Sequence, residues 1–148
     1  MATSPTGDSS TTSALQRAAQ VALGGALILA GTGHWTFARQ EFQAQVPPWV
    51  PMDPDTVVLA SGVVEIAMGA ALVVAQKQPG RAFVGGAAAA LFVAVFPGNI
   101  AQLTEHRDAF GLDTDTKRVV RLFFQPLMVA AALWSTDALG QWRRSRRR

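Results

Sequence analysis

The chain has no cysteine in its 148 residues. That absence excludes disulfides, thiol catalysis and thiolate metal sites. Histidine is scarce, with two residues. Only His34 falls in a long apolar run, and His106 lies among acids without ligand spacing, so no metal site is expected. Charged residues make up only 16% of the chain against 49% hydrophobic, and the mean hydropathy is +0.21. No Ser-His-Asp arrangement or phosphate loop is present, and the GTGH stretch at Gly31 lacks the preceding strand that a dinucleotide fingerprint needs. No internal repeat is visible. No secretory signal is expected either, because no basic region precedes the first apolar run and no small-residue cleavage site follows it.

What the chain does have is apolar sequence gathered into long runs. At about 1.5 Å rise per residue, some twenty residues cross a hydrocarbon layer of about 30 Å. Four runs meet that length, at about 14–38, 56–75, 82–103 and 119–139. They predict an all-α, integral membrane four-helix bundle over residues 14–139, placed in the cell membrane as a multi-pass protein. Residues 1–13 are rich in Ser, Thr, Gly and Pro and are expected to be disordered. Residues 140–148 form a basic tail. Between the first two spans, Pro47, Pro48, Pro51 and Pro54 forbid a continuous helix, though Glu41 to Gln45 suit a short amphipathic turn. The QKQPGR link at Gln76 to Arg81 is short enough to make the second and third spans antiparallel neighbours.

The pI of about 10.6 comes mainly from Arg143, Arg144, Arg146, Arg147 and Arg148. A basic block beside a hydrophobic span reads as a topology and lipid-surface signal, and no nucleic-acid partner is expected. If the four spans alternate, one side holds eight bases and two acids, the other five bases and seven acids. The positive-inside rule then places both termini in the cytoplasm.

The second run, TVVLASGVVEIAMGAALVVA, carries one ionisable residue, Glu65. Insertion scales put a carboxylate at such depth at a cost of about 2.5–3.5 kcal/mol, and intramembrane acids normally have partners. Ser61 lies one turn before it. Gly24, Leu27, Gly31 and His34 share one stripe of the first span, and Gly62 and Gly69 flank Glu65, so these faces suit close helix packing. The third span adds Asn99 beside Pro97, and the fourth adds Arg121 and Gln125 beside Pro126. Both prolines are expected to kink their helices and free carbonyls. Every span thus places a polar group in the half away from the termini, while the other half reads as nearly all Ala, Val, Leu and Gly.

Glu65, His34, Asn99, Arg121, Gln125 and Ser61 are therefore the candidate ligand or proton site, with Arg121 expected to compensate Glu65. No catalytic role is assigned. Such a pocket suits an amphipathic ligand with an oxygenated head, such as a quinone. The same residues also suit a purely structural task, in which Glu65 with Arg121 sets helix register and Asn99 and Gln125 satisfy the freed carbonyls.

Six pieces occur in a recognisable order: GTGHWTFARQEF, VPPWVP, SGVVEIAMG, PGR, FPGNI and RLFFQPL. Together they resemble the DoxX-like family of small four-span membrane proteins, over about residues 20–136. Two departures are the reduced LWST end of the fourth span and Gly98 where alanine is common. The resemblance implies a subunit or partner of a membrane redox system, since the family takes its name from a small subunit of a thiosulfate:quinone oxidoreductase. Quinone is then the candidate cofactor, and a redox-enzyme subunit, membrane lipid and a second copy of the chain are the candidate partners. Without cysteine or a haem-type ligand pair, the chain is not expected to carry electrons itself. A small transporter, a lipid- or sterol-type binding protein, and a structural partner without a ligand remain as alternatives.

Overall fold

Ser13 starts the first helix. Its hydroxyl accepts from the Gln16 N–H at 3.1 Å while the Gln16 side chain accepts from the Ser13 N–H at 3.1 Å, a reciprocal capping box. Helix α1 then runs over Ala14–Trp35. A five-residue helix, α2 (Arg39–Gln43), follows, and the prolines keep the rest of the connection irregular. Asp53 caps α3 (Pro54–Val74) by accepting from the Thr56 N–H at 3.0 Å, with Pro54 in the first turn, where a missing N–H costs nothing. The remaining helices are α4 (Gly80–Thr104), α5 (Asp115–Ser135) and α6 (Ala138–Ser145).

The computed structural model describes residues 13–147. The tail expected to be disordered lies outside the described residues except for Ser13, and so does Arg148. Among the described residues the secondary structure is all helical. Helices α1, α3 and α4 are each long and apolar enough to cross a membrane, and the bent pair α5 with α6 makes a fourth if taken as one span. Large apolar side chains such as Leu29, Phe83, Phe123 and Leu127 face outward, while the buried cluster is built from Leu23, Leu27, Leu72, Phe92 and three alanines. That distribution is compatible with a multi-pass membrane protein.

The helices form a ring in the order α1, α3, α4, α5. Two tight pairs, α1 with α3 and α4 with α5, carry most of the packing. The α3–α4 seam is the sparsest side despite its short link, and across the diagonals the α1 and α4 backbones, like those of α3 and α5, stay apart, so that α1 and α4 meet only through long side chains such as Gln20 and Arg81. Glycine sets the first pair. A Cβ built on Gly24 would lie 2.7 Å from the Gly69 carbonyl oxygen, and one on Gly31 would lie 2.6 Å from that of Gly62. The two crossings sit two turns apart on antiparallel helices, so the backbones touch where no side chain fits.

The fourth span departs from the expected 119–139. Helix α5 stops at Ser135, Asp137 takes a left-handed φ of 53°, and α6 leaves at 56° to the α5 axis. The last three carbonyls before the break are each held by a different donor. Gln16 Nε2 donates to Trp134 O at 2.8 Å, Arg81 Nη2 to Ser135 O, and Gln78 Nε2 to Thr136 O at 2.8 Å. These donors take the place of the next helical turn for the three carbonyls. Its last apolar residues, Ala138 and Leu139, belong to α6.

The same end of the bundle, expected to be nearly all Ala, Val, Leu and Gly, encloses a polar cluster. Gln20, Arg81, Ser135 and Thr136 are buried there. Gln20 Nε2 donates to Leu72 O at 2.6 Å and Ala75 O at 2.8 Å, closing the end of α3, while its Oε1 accepts from Arg81 Nε. Arg81 is thus an internal strut, not a surface charge of the turn. At the opposite end, called here the loop end, Arg118 is likewise buried. It pairs with Asp108 and with Asp115 (2.7 Å), while Arg107 donates to Val46 O at 2.9 Å. These contacts fold residues 105–114 and the proline-rich connection onto the ends of the helices.

Candidate ligand site

A cavity of about 350 Å³ lies at the loop end, between the α1–α3 pair and the α4–α5 pair. Its size falls in the range of small-molecule sites. The structure places all six expected polar residues on its walls: His34, Ser61, Glu65, Asn99, Arg121 and Gln125. Leu27, Ala30, Leu91 and Phe92 supply apolar surface, and Phe42, Val46, Pro47 and Trp49 come down from the connection as a roof. Of the two prolines expected to kink helices, both lie inside unbroken helices. Pro97 borders the cavity, whereas Pro126 borders a larger apolar groove, of about 860 Å³, running between α4 and α5 to α6. That groove shares Gln125 with the cavity but holds none of the other five polar residues.

The polar groups divide into two sets. On the α1–α3 side, His34 Nδ1 lies 3.0 Å from Val58 O and 2.9 Å from Ser61 Oγ. A carbonyl can only accept, so Nδ1 carries the proton, and Ser61, itself 3.0 Å from Val58 O, shares that carbonyl. The other ring nitrogen, Nε2, is buried without a hydrogen bond and faces Glu65 Oε2 at 3.6 Å. The Phe42 ring packs on the imidazole at 3.7 Å between centroids.

On the α4–α5 side the groups form a relay. Gln125 Nε2 donates to Phe92 O at 2.6 Å, Asn99 Nδ2 to Gln125 Oε1 at 2.9 Å, and Arg121 Nε to Asn99 Oδ1 at 3.2 Å. The guanidinium also lies over the Phe110 ring, 5.3 Å from its centroid. The carbonyl served by Gln125 is that of Phe92, one residue before Val93, the one Pro97 leaves without its helical donor.

The expected Arg121–Glu65 pair is not formed. Glu65 stands on α3 and Arg121 on α5, across the diagonal of the ring, and Arg121 finds Asn99 on its own side instead. Phe42, Trp49 and Phe110 were missed as site residues. All three arrive from short or irregular segments, where no helical spacing reports a shared face.

Gly98 also acquires a reason. A Cβ there would lie 2.5 Å from the Gln45 carbonyl oxygen, so the roof sits where an alanine side chain would be. Gly98→Ala is therefore expected to lower stability by about 1–3 kcal/mol, the range for overpacking, and to displace the roof. Thermal unfolding in mild detergent, together with protease sensitivity of the connection, reads both effects. Unchanged values for both would show that the roof yields freely.

Taken together, the fold and the cavity define a class: an all-helical bundle with membrane-length apolar helices, a polar-walled cavity at one end and a basic amphipathic helix at the other. Residues 23–136 match the family model described as Domain of unknown function (DUF8561), and the chain belongs to that family. All six polar cavity residues fall within the matched stretch. No curated protein and no solved structure matches the chain.

Proposed function

We propose that this chain is a four-span membrane protein with both termini in the cytoplasm, whose loop-end cavity binds the oxygenated head of a quinone-like or lipid-like molecule on behalf of a membrane redox partner. The redox assignment rests on the resemblance to the DoxX-like family. The observation that carries the ligand reading is a cavity that every long helix lines with a polar group, one of them His34, whose buried Nε2 has no hydrogen bond.

The topology is supported by the distribution of exposed charge. Arg81 is buried and drops out of the count for the terminal side, but Arg118 is buried and Arg121 lines the cavity, so the loop side loses two. Arg143, Arg144, Arg146 and Arg147 follow Trp142 on or just beyond α6, as on a helix lying in the headgroup layer. Because the chain lacks cysteine, single-cysteine labelling reports sidedness without background. A cysteine at Ser145 is expected to resist a membrane-impermeant thiol reagent in intact cells, and one at Asp113 to react. The reverse pattern overturns the topology.

Purification in mild detergent followed by mass spectrometry tests the ligand reading. A tailed molecule with one oxygenated end is expected to accompany the wild type. His34→Ala and Glu65→Leu are each expected to lower its occupancy at least about tenfold, equivalent to 1.4 kcal/mol. Equal occupancy in both variants, or no copurifying molecule at all, would count against the site.

A further inference from the structure

The geometry points to a ligand head that both donates and accepts a hydrogen bond at one atom, a hydroxyl, bridging His34 Nε2 and the Glu65 carboxyl once these two side chains, 3.6 Å apart, part to admit it; this rests on the reading of the cavity as a ligand site. Nδ1 is committed to Val58 O at 3.0 Å and must hold a proton to make that bond. In the neutral ring Nε2 is then an acceptor, and it lies buried without a partner.

Glu65 Oε2 stands 3.6 Å away, too far for a hydrogen bond. In the uncharged form of the pair, the carboxyl carries a proton and can donate it, while Nε2 can only accept. One donor and one acceptor therefore face the same small volume. A carbonyl or ether oxygen placed there accepts from Glu65 and leaves Nε2 unpaired. A hydroxyl accepts from Glu65 through its oxygen and donates to Nε2 through its hydrogen, satisfying both. Leaving a buried acceptor unpaired is what makes such a site discriminate.

The opposite wall does not make the same demand. Asn99 and Gln125 are already bonded to each other, to Arg121 and to Phe92 O, so their valences are largely occupied. Selectivity for the head group is thus placed on the α1–α3 side. A tail can leave through the sparse α3–α4 seam, where Ala94 borders the cavity and is exposed. The class implied is an apolar molecule ending in a phenolic or alcoholic hydroxyl.

The test uses the full chain in mild detergent, with quenching of tryptophan fluorescence as the readout, since Trp49 is in the roof. The probes are para-octylphenol and two acceptor-only analogues, its methyl ether and para-octylbenzaldehyde. The phenol is expected to bind at least about tenfold more tightly than either. His34→Phe is expected to remove the preference, bringing the phenol down to the analogues, and the comparison between proteins cancels partitioning into detergent.

A second measurement needs no variant. With two histidines in the chain, nitrogen-15 histidine labelling gives two rings to assign. In His34, Nδ1 should show the shift of a protonated nitrogen and Nε2 that of an unprotonated one, and the phenol should move Nε2 alone toward the protonated value. Equal binding of all three probes, a preference that survives His34→Phe, or an unprotonated Nδ1 overturns the inference while leaving a ligand site in place. If none of the probes binds, the ligand-site reading fails as well.

Discussion

Gln20→Leu is expected to destabilise the protein by about 3–5 kcal/mol, because each buried group left without its hydrogen bond costs about 1–3 kcal/mol, and more when it is charged. The variant keeps the volume and removes three bonds. Leu72 O and Ala75 O lose the amide that closes α3, and Arg81 Nε loses its acceptor. Arg81 Nη1 is already without a partner. Only the bond from Nη2 to Ser135 O would then hold a guanidinium that is 1% exposed.

Arg81→Met should do less damage, about 1–3 kcal/mol. It too leaves Gln20 Oε1 and Ser135 O unpaired, but it also removes the buried charge and its unpaired nitrogen, which offsets part of the loss. The double variant should therefore fall short of the sum of the two singles, since Gln20→Leu no longer strands a charge when Arg81 is gone. Reversible unfolding in mixed micelles, followed by the fluorescence of the four tryptophans, measures the cycle. A Gln20→Leu loss below about 1 kcal/mol, or strict additivity, would show that water reaches Arg81 and that the strut is not internal.

This strut marks where the sequence stops being readable. Arg81 follows Pro79 and Gly80, and an arginine beside such a turn reads as solvated. Its burial depends on Ser135, 54 residues away, which no local pattern reports. The break at Asp137 has the same origin, because the side chains that close α5 come from the start of α1, from the 76–79 link and from α4. By contrast, α3 and α4 begin and end within about two residues of the apolar runs. There the boundaries follow from local chemistry: Asp53 and Pro54 open one helix, and Pro79 precedes the other.

The polar residues of the cavity were legible as a set, because depth along a span is read by counting at about 1.5 Å per residue. Their pairing was not, because it depends on ring order. Counting along the chain puts Glu65 and Arg121 in the same half of the bundle, but only the order α1, α3, α4, α5 shows that they stand on a diagonal. His34 reaches Glu65 because α1 and α3 are adjacent, and Arg121 reaches Asn99 because α4 and α5 are.

That adjacency of α1 and α3 is itself a consequence of glycine, and it yields the second large effect. Gly31→Leu is expected to lower stability by about 3 kcal/mol or more, at the upper end for overpacking, and Gly31→Ala by about 1–3 kcal/mol. The first added carbon meets the Gly62 carbonyl oxygen at 2.6 Å and the Ile66 amide nitrogen at 3.0 Å. Both are backbone atoms, so the helices must separate even if Ile66 Cγ1, at 2.8 Å, turns aside. Gly25 supplies the control, because a Cβ there meets nothing within 4 Å. Gly25→Ala is expected to be neutral or to stabilise by up to about 1 kcal/mol, the ordinary helix gain of alanine over glycine.

The two alanine variants therefore differ in sign within about two turns of one helix. The separation at Gly31 is also one turn from His34, whose Nδ1 must reach Val58 O on the facing helix. Pushing α3 away lengthens that bond, frees Nδ1 and loosens the imidazole beside Glu65. Gly31→Ala should consequently weaken phenol binding as well as stability, whereas Gly25→Ala should change neither adversely. A Gly31→Ala protein that melts lower yet binds the phenol as the wild type does would separate the helix crossing from the site and place the control of His34 in the roof residue Phe42 instead.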